Sequence, residues 1–204
     1  MNVLLINGSP HKNGCTFTAL SEVAGALNSN GIDTTFFHLG MKPVAGCMAC
    51  NKCRELGHCV LQDEPMTTCV ELLQQADGII IGSPVYYAGP AGSLCAFLDR
   101  LFYAAGRFMT GKPAAATVNC RRGGASAAFD RLNKYFTINR MPVVSSQYWN
   151  STHGFTPEDV RKDLEGLQTM RTLGSNMAWL LKSMAAGKVP APEKEPWIMT
   201  NFIS

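Results

Sequence analysis

Residues 2–16 read Asn2-Val3-Leu4-Leu5-Ile6-Asn7-Gly8-Ser9-Pro10-His11-Lys12-Asn13-Gly14-Cys15-Thr16. Val3 to Ile6 is apolar at every position, as a strand buried on both faces must be, and Asn7-Gly8-Ser9-Pro10 ends the run. From Thr16 to Leu27, the residues Leu20, Val23, Ala24 and Leu27 recur at helical spacing, and Gly31 marks the stop. Strand, small-residue turn and amphipathic helix form the opening of a β-helix-β unit.

The alternation continues. Strands are predicted at Thr34–His38, Gly78–Ser83, Ala114–Asn119 and Pro142–Tyr148. Helices are predicted at Pro65–Gln75, Gly92–Ala105 and Ala125–Phe136, with one long helix within Pro157–Met184. Five strands alternating with helices predict an α/β fold, a doubly wound five-stranded parallel sheet with helices on both faces. One domain is expected over 1–187, interrupted by a cysteine-rich loop at 46–60. The prolines at 190, 192 and 196 predict an extended surface tail over 188–204.

Composition narrows the function. The 204 residues are 46% hydrophobic and 16% charged, which describes a globular chain. Eighteen basic against fifteen acidic residues leave a net charge of +3, too slight and too dispersed to indicate a nucleic-acid partner. No apolar run approaches a membrane span and no signal peptide is visible, so a cytoplasmic protein with no membrane partner is expected.

In doubly wound sheets ligands bind beyond the carboxyl ends of the strands, where the strand order reverses. The loops at 8–16, 40–64, 83–92 and 119–125 are therefore the ones to inspect. The first is not a Walker loop, because Cys15-Thr16 follows Gly14 where Lys-Ser/Thr is required, and it is not GxGxxG. A single phosphate needs only hydroxyls and free amides at a helix N-terminus. Ser9, His11, Asn13 and Thr16 are candidate donors, with the backbone of Gly14 and Cys15. The same residues would also suit an ordinary capped turn. Loop 83–92 sets Pro84, Val85, Tyr86, Tyr87 and Gly89 after a buried strand, as a flat, partly apolar ring requires. Asn119, Arg121, Gly123 and Gly124 add polar groups, a cation and adaptable backbone from the next loop.

Four of the eight cysteines fall within thirteen residues, as Cys47-x2-Cys50-x2-Cys53-x5-Cys59. Structural zinc more often takes two pairs a dozen or more residues apart. Three thiols at x2 spacing with a fourth close behind instead resemble the compact runs that hold a [4Fe–4S] cluster, and Gly46 and Gly57 ease the necessary curl. Zinc, or thiols that hold nothing, stays open. Cys15, Cys69, Cys95 and Cys120 read as small packing residues.

The opening LLINGSPHKNGCT, the cysteine segment with GHCVLQDEP, the stretch ADGIIIGSPVYYAGPAG and the terminal TNFI resemble the NADPH-dependent FMN reductases of flavodoxin-like fold, in their iron–sulfur flavoprotein branch. The resemblance implies the strand order 2-1-3-4-5 and FMN as cofactor. It places the phosphate on Ser9, His11, Asn13, Gly14, Cys15 and Thr16. It places the ring against Pro84, Val85, Tyr86, Tyr87 and Gly89, with 119–124 on the other side. Cys15 stands where the family usually has Asn, which removes one side-chain donor. The resemblance further implies a cluster on the four cysteines, and a homodimer or homotetramer.

No residues are arranged for nucleophilic catalysis, and no paired carboxylates mark a hydrolase. Asp63 is expected to cap the helix at Pro65. Met170, Met177 and Met184 read as a core or interface stripe, and Trp197 and Phe202 in the tail as subunit contacts. The expected function is an FMN-binding oxidoreductase that passes electrons between FMN and a [4Fe–4S] cluster, with NAD(P)H or a ferredoxin-like protein as donor. The alternatives are a cluster-free NAD(P)H-dependent FMN or quinone reductase, and a non-enzymatic zinc-stabilised binding module.

Overall fold

In the computed structural model the described residues are 1–187 together with 189, 190, 192, 193, 195, 196, 198 and 200. The expected contacts of Trp197 and Phe202 lie outside them.

Strand β1 (Asn2–Asn7) is buried from Val3 onward and pairs in parallel with β2 (Asp33–His38) on one side and β3 (Gly78–Tyr86) on the other. β3 pairs with β5 (Ala114–Cys120), and β5 with β6 (Ser151–His153), again in parallel. A two-residue strand β4 (Gly89–Pro90) folds back antiparallel onto the end of β3. The sheet order is β2-β1-β3-β5-β6, so the five parallel strands follow the expected 2-1-3-4-5.

Because side chains alternate across a strand, β1 feeds two cores at once. Val3 and Leu5 join Ile80 and Ala115 under α1 (Cys15–Ser29) and α7 (Leu164–Gly187). Leu4 and Ile6 join Ile79, Ile81, Ala114 and Ala116 under α3 (Glu64–Gln75), α4 (Gly92–Ala105) and α5 (Ala125–Ile138). Each fully buried Leu or Ile contributes about 1.5–3 kcal/mol. Gly174 of α7 lets that helix reach α1, since a Cβ there would stand 2.6 Å from the Val23 carbonyl oxygen. Met170 and Met177 are fully buried beside it and belong to the core, whereas Met184 is exposed.

Three elements differ from expectation. Residues 142–148 make one isolated bridge, Val143 with Ala114, and no strand. That segment spends its groups on α7: Ser146 Oγ donates to the Thr169 carbonyl, and the Ser145 carbonyl accepts from Asn176. The fifth parallel strand is the shorter β6, preceded by Asn150, whose side-chain amide donates 3.0 Å to the Ala116 carbonyl where a strand would have donated from its backbone. β3 runs on to Tyr86 instead of stopping at Ser83. The long C-terminal helix is two, α6 (Pro157–Lys162) and α7. The break falls at Asp163, whose Oδ1 accepts from the Gly166 amide while its Oδ2 accepts from the His153 amide at 2.7 Å.

Candidate functional site

The loop 8–14 joins β1 to α1 and is tied from several sides. Ser9 N donates to Asn7 Oδ1, Asn7 Nδ2 donates to the Lys12 carbonyl, and His11 N donates to Ser9 Oγ. The Nε2 of His38, at the end of β2, lies 2.9 Å from the Ser9 carbonyl. Gly8 lies against α4, for a Cβ there would stand 2.4 Å from Leu94 Cδ2. The loop delivers the chain to an N-cap, Gly14, that offers no side-chain bond, and the first turn of α1 carries no acid. Thr16 Oγ1 is buried there without any hydrogen-bond partner. A buried hydroxyl beside free helix amides is what a bound phosphate would satisfy. Burial pushes the Cys15 thiol up, so it meets that position as a neutral group.

Past Ser83 the chain makes a tight reversal. Ser83 Oγ accepts from the Ala91 amide at 3.0 Å and donates to the Pro84 carbonyl at 2.8 Å, closing the hairpin at its base. Its tip, Tyr87-Ala88, has φ of 50° and 59°, the left-handed region in two consecutive residues that are not glycine. Such strain persists only where the surroundings enforce it, and it holds Tyr86 and Tyr87 out in solvent. The sequence carries no signal for it, because two-residue turns of this kind normally announce themselves with Asn-Gly or Gly. The loop after β5 meets this hairpin: Gly124, at φ 89°, would with a Cβ stand 2.8 Å from Ala88 Cα and 3.2 Å from Val85 Cγ1. Arg121, Arg122 and Gly123 are exposed beside them. Asn119 is placed differently from its expected role toward a ring. It is buried and gives its amide to Thr152, at 3.1 Å to the carbonyl and 3.0 Å to Oγ1, so it ties β5 to β6. Thr152 and His153, with the exposed Tyr148 and Trp149, extend this edge, and the sequence reading passed over all four as site residues.

The cysteine segment leaves the carboxyl edge after Leu39 and lies along the second half of α4. Cys47, Cys50, Cys53 and Cys59 all line one small pocket, walled by Met48, Val60, Leu61, Arg100, Tyr103 and Ala104. Cys47 and Cys50 are exposed, Cys53 and Cys59 half-buried. The segment is not all loop, since Cys53–Leu56 forms a single helical turn, α2, closed by Gly57 at φ 75°. The curl upstream belongs to Ala49 and Asn51, at φ 52° and 58°, and not to Gly46. Asp63 caps α3 as expected, accepting from the Met66 amide. Among the described residues no three His, Cys, Asp or Glu side chains converge closely enough to hold one metal ion. A groove of about 1010 Å³ runs along α2 and the end of α4 and is lined by Cys53, Arg54, Arg107, Ile138 and Arg140.

A parallel sheet of this order, with a phosphate-ready turn after its first strand and strained loops at its carboxyl edge, defines a flavodoxin-like α/β protein. A WrbA-like flavodoxin structure from Agrobacterium tumefaciens shares the fold, with a TM-score of 0.64 at 17% identity over 89% of this chain and 98% of that one. Residues 1–156 match the NADPH-dependent FMN reductase family. An iron–sulfur flavoprotein of Methanocaldococcus jannaschii is 33% identical over 190 residues, 89% of this chain and 98% of that protein. One of Archaeoglobus fulgidus is 30% identical over 190 residues, 88% of this chain and 96% of that protein. The chain belongs to the NADPH-dependent FMN reductase family, in its iron–sulfur flavoprotein branch. It is an FMN-binding, FMN-dependent oxidoreductase. Among the described residues no helix is both long and apolar enough to cross a membrane.

Proposed function

We propose that the chain binds FMN across the carboxyl edge of its sheet and a [4Fe–4S] cluster on Cys47, Cys50, Cys53 and Cys59, and relays electrons between them. When bound, FMN exchanges electrons singly or in pairs and the cluster exchanges them one at a time, so the pair couples two kinds of redox partner. The observation that carries this reading is that all four cysteines line one small pocket, beside Val60, Leu61, Ala104 and the Arg100 guanidinium.

The residues divide the work. Thr16 Oγ1, Ser9 and the α1 amides, with His11 and Asn13 at the rim, hold the phosphate. Val85, Pro84 and the two exposed tyrosines wall the ring, and Gly89 closes the hairpin behind it. Gly123 and Gly124 allow close backbone approach on the other side, with Arg121 nearby as a cation. The cysteine pocket begins about eight residues into α4, some 12 Å along that helix from its crevice end at 1.5 Å per residue. Nicotinamide is the donor that the family suggests.

The test is an absorption spectrum of protein purified without oxygen, with iron and sulfide assayed on the same sample. About four iron and four sulfide per chain beside flavin are expected, and Cys50→Ala should lose most of the iron. Flavin without iron in the parent protein would leave a cluster-free FMN reductase instead.

A further inference from the structure

Arg100, in the middle of α4, has the largest fully buried side chain among the described residues, at 1% exposure. Its guanidinium has five N–H donors. Four are used. Nη1 donates to Asp63 Oδ2 at 2.7 Å and to the Ala45 carbonyl at 3.3 Å; Nη2 donates to Asp63 Oδ1 at 3.1 Å and to the Leu61 carbonyl at 2.6 Å. Ala45 and Leu61 lie just outside Cys47 and Cys59, so one side chain ties together both ends of the cysteine segment. The fifth donor, Nε–H, is buried with no partner. Leaving a buried charged donor unpaired costs more than losing a neutral bond, and such an orphan in a native fold points to a group that satisfies it. Arg100 lines the cysteine pocket, and the Cys59 thiol lies beside the guanidinium.

We propose that Arg100 is the positioning residue of the cysteine pocket, bracing the segment at both ends and giving its remaining Nε–H to the Cys59 sulfur. The inference rests on the cluster reading above. An N–H···S bond from a buried cation favours the more negative, reduced form of an iron–sulfur centre, so Arg100 holds the reduction potential up. A lysine keeps the charge and can still reach Asp63, but it lacks the rigid fork that meets two carbonyls, a carboxylate and a sulfur together.

The experiment is a reductive titration of the full chain with dithionite, followed by absorption and EPR, on the parent and on Arg100→Lys, with iron and FMN counted in each. The expected variant keeps its FMN. It holds less iron, or its reduced form is about tenfold less favoured, which for one electron is a shift of ~59 mV to more negative potential. Iron content and midpoint both equal to the parent's would overturn the proposal. If the variant fails to fold, the parent labelled with ¹⁵N at arginine Nε decides. One slowly exchanging Nε–H signal should broaden when the protein is reduced, and its absence, or its indifference to reduction, overturns the proposal. A flavin-loaded parent without iron refutes the cluster reading itself, an outcome visible before any variant is made.

Discussion

Gly124 and Ala88 touch: a Cβ built on Gly124 would stand 2.8 Å from the Ala88 Cα, and both residues have positive φ, 89° and 59°. Two loops separated by a helix and a strand in the chain are thus fitted to each other at the mouth of the crevice.

Gly124→Ala should therefore damage the site more than the fold. A left-handed alanine costs about 1–2 kcal/mol, and the overlap pushes the hairpin tip away. We expect FMN affinity to fall at least about tenfold, the equivalent of 1.4 kcal/mol. Quenching of FMN fluorescence in a titration of flavin-free protein reads it. Undiminished affinity would mean that the hairpin does not contact flavin.

Thr16→Val separates phosphate binding from ring binding. The Thr16 hydroxyl is buried with no hydrogen-bond partner in the chain, so valine should leave stability unchanged or raise it. Against a charged phosphate the lost bond is worth about 1.5–3 kcal/mol, a loss of roughly tenfold or more in FMN affinity. Riboflavin, which lacks the phosphate, should bind parent and variant alike. Equal losses for the two flavins would move the phosphate elsewhere.

Asp63→Asn should destabilise the chain by about 2 kcal/mol at neutral pH, a figure discounted because Asp63 is 41% exposed while Arg100 is buried. The Arg100 guanidinium holds the Asp63 carboxyl below its ordinary value of 3.8. A lowered native value means that the pair's contribution is complete above the unfolded value and is lost as pH falls below 3.8 through the native one. Urea unfolding of parent and variant at pH 7 and near pH 3.5 should show the gap between them beginning to narrow. A gap that widens on acidification would contradict the assignment.

The eight thiols should split by reactivity. Burial pushes Cys69 up to about 12, so it should resist iodoacetamide in native, iron-free protein at pH 8. Cys47 and Cys50 are exposed and should be alkylated first, as mass spectrometry of the digested protein would show. Early labelling of Cys69 would place it outside the core.

Much of this was legible without coordinates. The Val3–Ile6 run, the Leu20–Leu27 stripe and the clustered cysteines are local patterns, and local pattern determines strand, helix, sheet type and the loops worth searching. Segment 142–148 misled because its Val143-Val144 run reads as a strand. Whether it pairs depends on Asn150 supplying a side-chain bond to β5 and on α7 engaging Ser145 and Ser146, partners that no window around it contains. The helix break at Asp163 failed for a related reason, since its carboxylate also answers the His153 amide from β6.

The sequence by itself determined the alternating fold, the small-residue turn after the first strand and the cysteine spacing, because each is written in neighbouring residues. Only the tertiary structure decided that Asn119 faces Thr152, that the Tyr87-Ala88 turn is strained against Gly124, and that Arg100 spans the cysteine segment with one donor to spare. Those relationships join residues about 30 or more positions apart, and close packing and hydrogen-bond satisfaction act on distance in space, whatever the distance along the chain.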